Sequence, residues 1–293
     1  PLLLPRSQRG GDISGTARAG SITGNTINNN QTNIVTSAVS TENASNLEAN
    51  AFSERDRGRR SGNVWLTARD SISGFNIFTL ANQDDSGDVR LRGIGNLQVE
   101  NVQVITNEEV IVGSFDFDES PFFPSNSVGE ARDSDTAVTV NRPETGAPGK
   151  VFISSSGSLS ATNLFVSNNA NSDTEVGAGD VRIASPGDIT LIDSLIETDS
   201  VTAGDGGTIR IVDSQRVILD NTALRTGTDG AGRAGSILVD GVDYLLLRNG
   251  SLLLADAAAD EDCGTVRIAS SRGIASPDCN NDIITNASSG DGC

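Results

Sequence analysis

Arginine is the residue of this chain best placed to do surface chemistry. Arg90, Arg182, Arg210 and Arg267 each stand fourth in one recurring phrase, as in Gly87-Asp88-Val89-Arg90-Leu91 and Gly179-Asp180-Val181-Arg182-Ile183. Successive side chains of an extended segment face opposite ways, so an arginine between two inward aliphatics points outward. A stack of such arginines would form a basic stripe able to hold sulfated or carboxylated glycan, because guanidinium pairs bidentately with those groups. Asp180, Asp213 and Asp240 lie close enough in sequence to offer the competing outcome, local neutralisation.

Carboxylates cluster at Asp84, Asp85 and Asp88, at Asp116, Asp118 and Glu119, at Asp133 and Asp135, and at Asp256, Asp260, Glu261 and Asp262. Oxygen ligands grouped on a turn suit Ca²⁺, and Asp84, Asp85 and Asp88 are the candidates. None of the clusters matches the EF-hand pattern or the Gly-Gly-x-Gly-x-Asp nonapeptide. Paired acids could also perform sugar chemistry in a groove, provided two or three from neighbouring segments aim at one cleft. Outward acids at equivalent positions of adjacent repeats are not evident, so no catalytic residue and no cofactor is assigned.

The chain has no His, which removes Ser-His-Asp and Cys-His catalysis and histidine metal sites. Its three cysteines are Cys263, Cys279 and Cys293. Cys263 precedes a repeat-opening Gly and Cys293 falls where the next repeat would begin. One repeat apart, they could lie within the ~4.4–6.8 Å Cα range of a disulfide. A Cys263–Cys293 bridge would suit an oxidising setting. Three reduced thiols are the other outcome.

The elements that must position these residues follow from a repeat. The 293 residues carry a net charge of −18, which argues against nucleic acid or anionic membrane as the main partner. Apolar runs such as Leu245-Leu246-Leu247 fall far short of the ~20 residues a membrane helix needs. Thirty-two Gly, few aromatics and no Met exclude a helical bundle, and the lack of Met points to a processed product or a fragment. The phrase Gly, small or polar, apolar, any, apolar begins at Gly62, Gly87, Gly113, Gly149, Gly179, Gly207, Gly235 and Gly264. An apolar residue stands ten positions after each Gly, from Ile72 and Leu97 to Leu245 and Ile274. Another stands seventeen after it at Val104, Val166, Ile196, Leu224 and Leu252.

Three short period-2 segments per ~28 residues, with no helix between them, predict three strands per coil of a parallel β-helix. A coil cannot bury its apolar face alone, and stacking like positions ~4.8 Å apart solves that. A β-sandwich would give no reason for fixed offsets. The predicted solenoid runs over 62–293, with an insertion at 118–148 bounded by Pro121 and Pro148. Residues 1–61 are less regular and read either as degenerate coils or as an extension on the end of the rod.

The recurring coil, and the closing stretch Asn281-Asp282-Ile283-Ile284-Thr285-Asn286-Ala287, resemble the filamentous haemagglutinin-like exoproteins of two-partner secretion, in particular the cyanobacterial ones. The resemblance covers roughly 62–293. It implies a right-handed single-stranded parallel β-helix, export through an outer-membrane secretion partner, and a place outside the cell, either secreted or on its surface. The expected role is a non-enzymatic, rod-like adhesin whose variable turns meet a cell-surface or extracellular-matrix component such as a glycan, without membrane insertion. A polysaccharide lyase or glycoside hydrolase using the clustered carboxylates is the rival expectation, and a purely structural stalk is the third.

Overall fold

The computed structural model describes residues 13–17, 22–23, 32–37, 63–80, 85–106, 147–170, 176–201, 203–257, 264–278 and 280–287. Among them there is no helix, and parallel strands stack as a β-solenoid. The strands are β1 (Ile13–Ala17), β2 (Ile22–Thr23) and β3 (Thr32–Ser37), then β4 (Val64–Ala68), β5 (Ser71–Leu80), β6 (Val89–Gly93) and β7 (Leu97–Thr106). There follow β8 (Val151–Ser155), β9 (Leu159–Ser167), β10 (Val181–Ala184), β11 (Ile189–Ile192) and β12 (Leu195–Ser200). The described chain ends with β13 (Thr208–Asp220), β14 (Ala223–Thr228), β15 (Ser236–Arg248), β16 (Leu252–Ala257), β17 (Thr265–Ala275) and β18 (Asp282–Ala287).

Each strand pairs with its equivalent one coil away. Val151, Val181, Ile209, Ile237 and Val266 form one column in successive registers. Leu97, Leu159, Ile189, Val217, Leu245 and Ile274 form a second, and Val104, Val166, Ile196, Leu224 and Leu253 run along the third wall. Burial alternates along the strands, and Ile209, Ile211, Val217, Leu219 and Leu224 of one coil are fully buried. Each such side chain stabilises by about 1.5–3 kcal/mol relative to exposure, which lets a small coil hold its place in the stack. Strands β1, β2 and β3, all within 1–61, pair in parallel with β4 and β5.

Three details of the predicted stack are corrected. The rungs opening at Gly87 and Gly149 are direct neighbours, β6 pairing with β8 and β7 with β9, so no rung stands between them, and the phrase at Gly113 lies outside the described residues. Ile72 aligns with Val99 instead of Leu97, because the first corner is two residues shorter. Leu252 is not an inward residue. Gly250, at φ 82°, adds one residue to the preceding corner, so Leu253 takes the buried position. The insertion 118–148 lies outside the described residues except at Ala147 and Pro148.

Polar residues make the corners. Asn101, Asn163, Asp193, Asn221 and Asn249 all have positive φ and occupy equivalent corner positions. Asn and Asp are the non-glycine types that best tolerate that conformation. Their side chains also bond along the column: Asn163 Nδ2 donates to Asn101 Oδ1 at 3.0 Å, and Asn221 Nδ2 to Asp193 Oδ1 at 2.7 Å. Inside the stack, Thr106, Asn168, Thr198 and Thr226 form a buried polar column beside the coil-opening glycines. There Thr226 Oγ1 donates to the Gly207 carbonyl at 2.8 Å and Asn168 Nδ2 to the Asp180 carbonyl at 3.1 Å.

Candidate functional site

The fourth-position arginines lie on one flat wall, built by β4, β6, β8, β10 and the first halves of β13, β15 and β17. Register places Trp65, Arg90, Phe152, Arg182, Arg210, Leu238 and Arg267 in a single outward column. Arg182 and Arg210 are on adjacent rungs. Arg90 is separated from Arg182 by Phe152, whose ring lies 5.2 Å from the Arg90 guanidinium carbon. That is a cation–π distance. Trp65 is 41% exposed.

The next outward column holds Thr67, Arg92, Ser154 and Ala184. Arg90, Arg92 and Arg182 border a shallow groove of about 280 Å³, floored by Ser154 and Ala184 and flanked by Phe152. The small floor residues sink the surface between long side chains, which is why the groove exists. Sequence reasoning named the arginines of the first column but missed Arg92, Phe152 and Trp65. The missing signal was the sixth position of the phrase, where Arg92 meets Ser154 and Ala184, and the direct pairing of the rungs that open at Gly87 and Gly149.

The expected neutralisation is selective. Arg182 pairs with Asp213 at 3.2 Å, and Asp180 pairs with Lys150 at 3.2 Å. Asp240 accepts the Gly241 amide at 2.9 Å. Among the described residues, Arg90, Arg92, Arg210 and Arg267 have no carboxylate partner and all four are exposed. The arginines of other walls behave differently: Arg216 pairs with Asp188 at 2.5 Å and Arg248 with Asp220 at 2.6 Å, each across one rung.

Of the calcium candidates, Asp84 lies outside the described residues. Asp85 accepts the Ala147 amide at 3.2 Å, and Asp88 accepts the Lys150 amide at 2.9 Å. These two carboxylates thus bridge adjacent rungs. Among the described residues there is no group of three acids or cysteines arranged to hold a metal. Cys263, Cys279 and Cys293 lie outside the described residues.

One carboxylate stands apart. Asp199, on β12, is largely buried and its acid is pushed up to about 6. Burial is the main cause, and Asp229 and Asp256 add to it, while Arg225 and the Gly227 amide act in the opposite direction. Arg225 Nε stands 3.0 Å from Asp199 Oδ2. Because the folded chain holds this proton more tightly than the unfolded one, the ionised group costs stability above pH 6, and that cost fades as pH falls towards 4. Asp199→Asn should therefore stabilise the chain at pH 7 by about 1–3 kcal/mol, with the gain shrinking at pH 4.5. Thermal melts of both proteins across that range check it, and a pH-independent difference would contradict it.

Comparison of the chain with protein-family models, curated proteins and solved structures finds no match. The class that can be stated is therefore architectural: an all-β parallel solenoid with a partly unneutralised arginine wall.

Proposed function

We propose that this chain works as a non-enzymatic rod, secreted or held at the cell surface, that makes adhesive contact through its exposed wall and turns. The observation that carries this reading is the stack itself. Its interior is filled by continuous aliphatic columns, while its outward positions are free to vary without disturbing them. The arrangement of acids supports the same reading. Asp188, Asp213, Asp220 and Asp243 are each tied to an arginine, and Asp180 to Lys150, at successive corners. Asp199 pairs with Arg225 and feels the charges of Asp229 and Asp256, and it is largely buried rather than open to a polymer. The resemblance to filamentous haemagglutinin-like exoproteins supports export through an outer-membrane partner.

The test couples chain to beads and measures their retention on surfaces coated with extracellular polymer, beside turnover assays on pectin and alginate with and without Ca²⁺. Retention without turnover is expected. Turnover abolished by replacing clustered acids would overturn the reading in favour of a lyase or hydrolase, and absence of retention would leave a stalk. Replacing 118–148 by a short turn should leave the melting transition in place, because β6 and β7 already stack on β8 and β9, and should reduce retention. Unfolding of that variant would refute the assignment of 118–148 as an appended loop.

A further inference from the structure

We infer that the arginine wall is a binding site for a linear acidic polysaccharide, carboxylated or sulfated, lying along the solenoid axis. The inference rests on the adhesive-rod reading and names the partner chemistry of its exposed wall.

Three observations point there. The first is charge placement. On a chain of net charge −18, where arginines on other walls meet aspartates across a rung, Arg90, Arg92, Arg210 and Arg267 remain exposed and without a carboxylate among the described residues. Unpaired guanidinium groups gathered on one face of an acidic protein make a local attractive field for anions that its net charge would otherwise repel.

The second is spacing. Arg90 and Arg182 are two rungs apart, as are Arg210 and Arg267, which by ~4.8 Å per rung sets charges about 10 Å apart along the axis. Arg182 and Arg210 sit on consecutive rungs between them. Rigid β-pairing fixes these intervals, so the wall presents a linear array and not a single anion pocket. A polymer charged on alternate sugars meets such an array repeatedly, while a small anion meets it once.

The third is the apolar component. Phe152 and Leu238 occupy rungs between arginines, and Trp65 stands on the rung next to Arg90, on the side away from Phe152. The faces of pyranose rings carry C–H groups that pack on aromatic and aliphatic side chains. Phe152 is already held against Arg90, so a sugar seated in the groove over Ser154 and Ala184 would meet an aromatic edge and two or three guanidinium groups together. Arg182 is shared with Asp213, which reduces its part and places most of the work on Arg90 and Arg92 at one end and Arg210 and Arg267 at the other.

The experiment is a titration of the full chain with heparin fragments of graded length, polygalacturonate and neutral dextran, read by calorimetry. Heparin and polygalacturonate should bind, longer chains more tightly than short ones, with affinity falling as salt rises. Dextran should not bind. The pairs Arg90→Gln with Arg92→Gln, and Arg210→Gln with Arg267→Gln, should each weaken binding at least tenfold, and the lysine versions of the same pairs should retain part of it. Arg216→Gln, on a different wall, should leave binding unchanged. Equal affinity of the glutamine pairs and the parent, or equal binding of dextran, would overturn the proposal, as would affinity independent of fragment length. If beads carrying the chain still adhere while no polyanion binds, the adhesive reading stands and this assignment falls. Polyanion binding without adhesion reverses that outcome.

Discussion

Replacing Gly235 with alanine is expected to destabilise the solenoid by about 3 kcal/mol, whereas Gly95→Ala should shift stability by less than about 0.5 kcal/mol. The difference lies in what a methyl group would meet. At Gly235 it would overlap the Gly207 carbonyl oxygen and the Thr226 hydroxyl, and would lie 2.7 Å from the Gly206 carbonyl carbon. At Gly95 its nearest neighbour would be the Arg69 carbonyl at 3.7 Å, an ordinary contact. Neither glycine has a positive φ, so backbone conformation does not separate them. Both substitutions also reduce the freedom of the unfolded chain, which favours folding by about 0.4–1 kcal/mol. At Gly235 the overlap must exceed that gain, because backbone atoms of the rung below cannot swing aside like a flexible side chain. Urea denaturation of the two variants beside the parent decides the matter. A Gly235→Ala protein as stable as the parent would mean that the rungs do not approach so closely.

The same contact explains why the repeat is legible. Gly149 meets the Gly87 carbonyl, Gly179 that of Gly149, Gly207 that of Gly179, and Gly264 that of Gly235. The recurrent glycine is therefore a steric requirement renewed from rung to rung, and the aliphatics two and four positions later are the inward residues of the first wall. That wall reads correctly from the sequence because the distance from the glycine to the first inward aliphatic is constant, with one residue between them at each rung. Farther along each coil, corners accumulate length changes that fixed offsets cannot follow. Gly250 displaces Leu252 from the core, and the shortened corner before Ser71 shifts Ile72 by two positions. The phrase at Gly113 matches by composition, yet β6 meets β8 across it, because a match of five residues contains no information about pairing.

The arginine wall was legible only where chemistry and phrase coincide. Arg90, Arg182, Arg210 and Arg267 share the fourth position, and their outward direction follows from alternation. Their ionic partners do not follow. Asp213 reaches Arg182 from the corner of the following coil, where positive φ turns its side chain out, while Asp180, nearer to Arg182 in sequence, goes to Lys150. Phe152 became a neighbour of Arg90 only after a separation of 62 residues was closed by pairing.

A second large effect separates burial from register. Leu245 and Ile274 are adjacent members of one column, both ten residues after a coil-opening glycine. Leu245 is fully buried between Val217 and Ile274, whereas Ile274, in the outermost described rung, is 50% exposed. Leu245→Ala removes aliphatic volume from a site closed by rungs on both sides, and should cost about 2–5 kcal/mol. Ile274→Ala removes a similar group from a half-solvated position and should cost less than about 1.5 kcal/mol, since part of its surface was never taken from water. In a stack where each coil touches only its neighbours, the damage at Leu245 should also be directional. Amide exchange should accelerate in β13 and β17, which flank it, and less in β6 and β8, several rungs away. Uniform acceleration along the whole chain would show that the solenoid unfolds as one cooperative unit, and equal costs at the two sites would mean that the outermost described rung is as well covered as the middle of the rod.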